Sequence, residues 1–345
     1  MDRNLSPELD VAIRAVVEAG RVTRTAQTAL VVSRDRVLKA DRSPVTVADL
    51  AAQAIMTARL QEAFPGDTIM AEEDASPLEG SDGPGLEVRV LELVEGSLPG
   101  LDGRGLSALL ERGAHPGGPD GRFWVMDPVD GTKGFLRGEQ YAIALALVVG
   151  GRVELGVVGC PNLPVTPGDP GSPRGCLFAA SRGGGAFQLD SRGLEHRPIH
   201  VDGVSTSSRG SFCESVERAH SSHGATARVA TRLGITAPPY RVDGQTKYAI
   251  VARGEASLYL RLPSRPDYRE KVWDHAAGSC IVHEAGGRVT HVDGKELDVS
   301  AGRTLPDATG IVVSNGRIHD EVLRAVREVL ADGRGYTGSA VEVVP

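Results

Sequence analysis

Gly121 to Pro161 reads GRFWVMDPVDGTKGFLRGEQYAIALALVVGGRVELGVVGCP, and the rest of the chain arranges itself about this stretch. Phe123 to Met126 is a short apolar run of the kind that forms a buried strand. It ends in Asp127-Pro128-Val129-Asp130-Gly131-Thr132, a turn with two carboxylates and a hydroxyl. Pro128 cannot donate to a ladder and Gly131 permits a sharp reversal, so both aspartates are expected to project from the strand end into one space. Converging hard oxygens suit Mg²⁺, which takes carboxylates, waters and phosphate oxygens. Asp-Pro and Asp-Gly are also ordinary turn dipeptides, so the hexapeptide taken alone reads equally well as a structural turn.

Downstream, Tyr141 to Val149 and Val153 to Cys160 are β-prone runs on either side of Gly150-Gly151, a hairpin signal. Pro161 to Gly175 reads as a loop, and Cys176 to Ala180 and Gly185 to Leu189 as further strands. Upstream, Ser6-Pro7-Glu8 opens a helix whose apolar positions include Leu9, Ala12, Val16, Ala19 and Val22. A short strand over Val37 to Ala40 and a second helix from about Val47 to Ala63 follow. Thr46-Val47-Ala48-Asp49 fits a capping box, which makes Asp49 locally a helix cap. Thr68 to Met70 reads as a strand that runs into Ala71-Glu72-Glu73-Asp74, either a solvated acidic loop or a cation site at a strand terminus. Glu79 to Asp120 is punctuated by Gly and Pro and is expected to be an irregular surface excursion with one helix. The first half therefore predicts helices packed on a largely antiparallel sheet.

A lobe boundary is expected near His200. Beyond it, His220 and His223 are three apart, but no HExxH pattern or cysteine partner accompanies them, which disfavours zinc. Lys247 in DGQTKY, and Arg261 at the end of the Ala256 to Leu262 strand, read singly as surface charges. Asp274, in Val272-Trp273-Asp274, reads as a first-turn acid of a helix that stops at Gly286-Gly287. Strands near Arg288 to Val292 and Ile311 to Ser314, then a helix from about His319 to Leu330, predict an alternating α/β lobe.

Taken together, DPVDGT behind an apolar strand, Glu72-Glu73 upstream and WDHAAGSCIVHEAGG downstream resemble the lithium-sensitive, Mg²⁺-dependent phosphatase superfamily that includes the inositol monophosphatases. Within it, ESVERAHSSH, DGQTKY and LRLP look like the 3'(2'),5'-bisphosphate nucleotidases of the yeast and plant type. The resemblance implies a layered α-β-α-β-α sandwich in two lobes, 1–200 and 201–345. It implies two or three Mg²⁺ ions on Glu72, Asp127, the Val129 carbonyl, Asp130 and Asp274. It also implies a proton relay from Thr132 to Asp49, and substrate contacts from Thr132, His220, Gly244, Lys247, Arg261 and Asp274. Two positions depart from the family wording: Ala71 stands where glycine is usual, and Gly244 replaces a serine and so lacks its hydroxyl. The implied reaction removes the 3'-phosphate of adenosine 3',5'-bisphosphate to give AMP, with adenosine 3'-phosphate 5'-phosphosulfate as a further substrate and sulfur metabolism as the setting. The rival readings are an inositol (poly)phosphate 1-phosphatase and, from another class, a non-catalytic phosphonucleotide sensor.

Composition is compatible with this. A 345-residue chain can bury a large core, and a formal net charge of -7 argues against a polyanion-binding surface while leaving room for a small anionic substrate held by local cations. The four cysteines, Cys160, Cys176, Cys213 and Cys280, have no metal-ligand spacing and read as buried thiols. No signal peptide and no apolar run of membrane-spanning length is evident, so a cytoplasmic monomer free of membrane and nucleic-acid partners is the expectation.

Overall fold

The computed structural model describes residues 7–33, 43–169, 171–216, 223–262, 268–306 and 310–334. The expected strand over Val37 to Ala40, and His220, lie outside these residues.

Two long helices, α1 (Pro7–Ser33) and α2 (Ser43–Ala63), pack on a seven-stranded sheet. Its strands follow one another in chain order: β1 (Thr68–Ala71), β2 (Arg122–Asp130), β3 (Ala142–Val149), β4 (Arg152–Pro164), β5 (Arg174–Ser181), β6 (Gly185–Asp190) and β7 (Arg197–Ile199). The five-stranded second sheet begins only after β7. It runs in the order β11 (Arg288–His291), β12 (Ile311–Ser314), β10 (Leu258–Arg261), β8 (Phe212–Glu214) and β9 (Tyr240–Arg241). The remaining helices are α3 (Ser76–Glu79), α4 (Gly83–Val94), α5 (Gly103–Glu111), α6 (Thr132–Arg137), α7 (His223–Arg232), α8 (Thr246–Ala252), α9 (Ala276–Glu284) and α10 (His319–Arg334).

Strand alternation divides the core into layers. On β2, Trp124 and Met126 face α1 and α2, whereas Phe123 and Val125 face α8 and α9. On β10, Tyr259 joins that same central layer, while Leu258 and Leu260 turn to α7 and α10. The result is the expected α-β-α-β-α sandwich. All four cysteines are buried and unpaired, and burial raises each thiol. No helix among the described residues is long and apolar enough to cross a membrane.

Local expectations fail in three places. The helix carrying Asp49 starts at Ser43, so Asp49 lies inside it and cannot be its N-cap. Residues 79–120 hold α4 and α5 besides the end of α3; their buried Val90, Val94, Leu106 and Leu110 cover the outer face of α2. The expected single helix undercounts them because their Gly and Pro residues sit at helix starts, where they are tolerated, and Asp102 caps α5 by accepting from the Gly105 N–H. Finally, DPVD belongs to β2 itself, and the chain turns only at Gly131, in the left-handed region at φ +95°, before entering α6.

Candidate active site

Among the described residues, β1 and β2 form the only parallel pair of the first sheet. Ala71 is in register with Met126, so Glu72, just past the end of β1, comes beside Asp127 within β2. The Glu72 N–H donates to the Met126 carbonyl at 3.2 Å. Residues three apart on a regular strand face opposite sides, yet Asp127 and Asp130 feel one another electrostatically. The register between β2 and β3 shifts between these two residues, and that irregularity re-aims the second carboxylate.

The α2 helix closes the site from behind. Gln53 donates to the Glu73 carbonyl at 2.8 Å and accepts from the Glu73 N–H at 3.2 Å, holding the acidic loop against α2. One turn earlier, Asp49 is buried, and burial followed by the charges of Glu73 and Glu72 raises it well above the ordinary carboxylate range. Ala71 is also buried, with Gly113 against it; a Cβ on Gly113 would stand 2.8 Å from the Ala71 methyl. The extra methyl at position 71 is thus accommodated by a glycine on the facing chain.

Charge crowding is strong. Glu72 keeps an edge open to solvent, but desolvation and then the Asp274 charge push it up to about 8. Asp127 is raised well above the ordinary carboxylate range by burial and by Glu72, Asp130 and Asp274. Asp130 is raised to about 6 by burial and Asp274, while Lys247 and Arg261 restrain it. Among the described residues, Asp127 Oδ1 is buried and has no hydrogen-bond partner. A carboxylate oxygen left so amid other carboxylates fits a divalent cation, which would supply the missing partner and keep the group ionised.

The second sheet contributes the opposite wall. Gly244, at φ +69°, packs against Gly131, and the next residue, Gln245, donates its N–H to Asp130 Oδ2 at 2.6 Å. Lys247 is buried, with Nζ donating to the Gly244 carbonyl at 2.7 Å and lying 5.2 Å from the centre of the Tyr259 ring. Arg261 holds Asp274 at 3.0 Å through Nη2 and Glu270 at 2.7 Å through Nε. Behind Glu270, His275 lies 3.2 Å away through Nε2 and meets the Tyr248 hydroxyl at 2.7 Å through Nδ1. Glu270, Asp274 and His275 have ligand atoms close enough to hold a metal ion. Glu270 and His275 are engaged by Arg261 and Tyr248, whereas Asp274 meets Arg261 through Oδ2 and its charge also acts on Asp130.

A single cleft is therefore lined by Asp130, Gly244, Lys247, Arg261 and Asp274 from both sheets. A larger cavity of about 690 Å³ between α1 and the β4–β5 region contains none of the expected site residues. Thr132 is exposed at the start of α6, and no hydrogen bond joins it to Asp49 among the described residues. Val129 is buried between the two aspartates. Sequence reading missed Gln245, Glu270 and Arg303. Arg303 donates to the Ala71 carbonyl at 2.5 Å and to the Gly113 carbonyl at 3.1 Å, tying the acidic loop to the chain between β11 and β12. Only the proximity of Gln245 to Lys247, and of Glu270 to Asp274, could have flagged the first two; Arg303 had no local signal.

The pattern described as the inositol monophosphatase family matches residues 4–331. A 3'(2'),5'-bisphosphate nucleotidase of Emericella nidulans is 42% identical over 324 residues, covering 86% of this chain and 92% of the relative. The Arabidopsis thaliana 3'(2'),5'-bisphosphate nucleotidase 1 is 41% identical, covering 94% and 97%. Among solved structures, the IMPase of Thermotoga maritima superposes with a TM-score of 0.62 at 24% identity over 95% of this chain and 99% of that one. SuhB of Mycobacterium tuberculosis gives 0.58 at 22% identity, covering 93% and 96%. At these identities the structural likeness speaks for the fold alone.

Proposed function

The chain belongs to the inositol monophosphatase family, and from that premise we propose that it is a Mg²⁺-dependent phosphomonoesterase acting on the 3'-phosphate of adenosine 3',5'-bisphosphate. The nucleotidase relatives support the substrate. The observation that carries the chemistry is the buried Oδ1 of Asp127, unpartnered among the described residues, amid the carboxylates of Glu72, Asp130 and Asp274.

In this reading Glu72, Asp127, the Val129 carbonyl, Asp130 and Asp274 hold two or three Mg²⁺ ions. When bound, Mg²⁺ supplies positive charge that acidifies water and offsets charge developing on the phosphate oxygens. Thr132 orients the attacking water through its hydroxyl, and the proton passes to Asp49, whose burial makes it a stronger base than a solvated aspartate. The Gly131 turn leads directly into α6, and the Thr132 N–H at its start can meet a phosphate oxygen. Arg261, already oriented by Glu270 and Asp274, serves the second phosphate, with Lys247 and His220 completing the nucleotide contacts.

The test is phosphate release from adenosine 3',5'-bisphosphate, 3'-AMP, inositol 1-phosphate and inositol 1,4-bisphosphate, each with and without Mg²⁺. The adenosine bisphosphate should be turned over with the highest kcat/KM, only with Mg²⁺, and with inhibition by millimolar Li⁺. Preference for an inositol phosphate would replace the substrate, and absence of turnover on the whole panel would overturn the enzymatic reading.

A further inference from the structure

Gln245 is almost fully buried, and its backbone N–H and side-chain carboxamide reach three separate parts of the site. Its backbone N–H donates to Asp130 Oδ2 at 2.6 Å. Its side-chain Nε2 donates to the Trp273 carbonyl at 2.8 Å, and its Oε1 accepts from the Gly278 N–H at 3.0 Å. Trp273 immediately precedes Asp274 in the 3-10 turn Val272–Asp274, and Gly278 lies in the first turn of α9. One residue thus grips the first-sheet carboxylate directly and the Asp274 turn from both sides. The opposed donor and acceptor are what a carboxamide offers; no aliphatic side chain supplies either, and a carboxylate supplies only the acceptor. The backbone leaves little slack, because a Cβ on Gly278 would come within 2.4 Å of the Tyr248 ring.

We infer that Gln245 is a positioning residue that couples the two sheets' contributions to the site, holding the Asp274 turn in register with Asp130. The inference rests on reading Asp130 and Asp274 as Mg²⁺ ligands. Gln245→Leu keeps the backbone bond to Asp130 and removes both side-chain bonds. Gln245→Glu keeps the acceptor for Gly278, loses the donor to Trp273 and adds an ionisable group there.

Calorimetric titration of full-length protein with Mg²⁺, without substrate, gives a readout separate from activity, and melting in EDTA monitors the fold. Gln245→Leu should raise the Mg²⁺ dissociation constant at least tenfold, with kcat largely recovered at saturating Mg²⁺ and KM nearly unchanged. Gln245→Glu should show a smaller shift in the same direction, and it decides the matter if the leucine variant does not fold. Mg²⁺ affinity within twofold of wild type, with only a lowered melting temperature, would overturn the inference. Asp130→Asn is the control. Wild-type affinity in that variant would refute the ligand reading itself, whereas weak binding by Asp130→Asn beside normal binding by the Gln245 variants would refute only the role of Gln245.

Discussion

A Cβ built on Gly244 would stand 2.4 Å from the carbonyl oxygen of Asp130, and Gly244 holds φ at +69°. Two constraints therefore act at one residue: a left-handed backbone and contact with the strand end that carries a site carboxylate. Serine at this position would not simply add a hydroxyl donor in this chain. It would press on Asp130.

Gly244→Ser should destabilise the protein and lower activity together. Left-handed backbone in a non-glycine residue costs about 1–3 kcal/mol before any overlap is counted, which corresponds to a melting shift of roughly 2–4 °C per kcal/mol in a chain of this size class. Thermal melting and kcat/KM check this; improved nucleotide affinity with unchanged stability would contradict it.

Asp130→Asn and Asp274→Asn preserve shape while each removes an anionic oxygen facing the cleft. Activity should fall by roughly two orders of magnitude or more, as when a preorganised electrostatic group is lost, with far-UV circular dichroism unchanged. Full turnover by either variant in the same Mg²⁺ buffer would contradict the ligand assignment.

The metal-free protein should lose stability as pH rises from about 5 to 8. The carboxyls of Glu72 at about 8 and Asp130 at about 6 are raised in the folded state, so the native protein holds protons there that the unfolded chain has released. Stability relative to the unfolded state is thus greatest in mild acid and declines as these groups ionise. Mg²⁺ should reverse the trend, since it would bind the ionised cluster, and its stabilising effect should be largest near pH 8. Melting curves in EDTA and in Mg²⁺ across this range, with proton release measured on Mg²⁺ addition at pH 7, provide the check. A metal-free melting temperature that rises through this window would count against the cluster as described.

Arg261→Ala removes the partner of two carboxylates, Glu270 and Asp274, whose side chains are largely shielded from water. Breaking a buried pair from one side costs about 3–5 kcal/mol, so the variant should melt well below wild type. Loss of a phosphate contact should in addition reduce use of adenosine 3',5'-bisphosphate by about ten- to a hundredfold relative to 3'-AMP. Equal loss on both substrates would confine Arg261 to its structural role of orienting Asp274.

The sequence by itself carried the acids, the two-sheet order and the family, because these are written locally. Apolar runs such as Phe123 to Met126 and Ile311 to Ser314 have strand patterning wherever they fold, and DPVDGT and WDHAAG are contiguous words. It also placed Gly150-Gly151 correctly, since a type I′ two-residue hairpin needs positive φ at both positions, and both have it. What it could not carry was anything that depends on partners distant in the chain. Asp49 resembled a cap because capping boxes are short-range patterns, yet the helix began earlier and burial against Glu72 and Glu73 defined its character. Arg261 looked like a surface charge until folding brought Glu270 and Asp274 to it, and Arg303 reaches the Ala71 carbonyl across most of the chain. Side-chain type is a property of the residue, but desolvation, charge crowding and hydrogen-bond partnership are properties of its neighbours. Those are assembled only when the parallel pair of β1 and β2 meets the turn around Gly244 and Gln245.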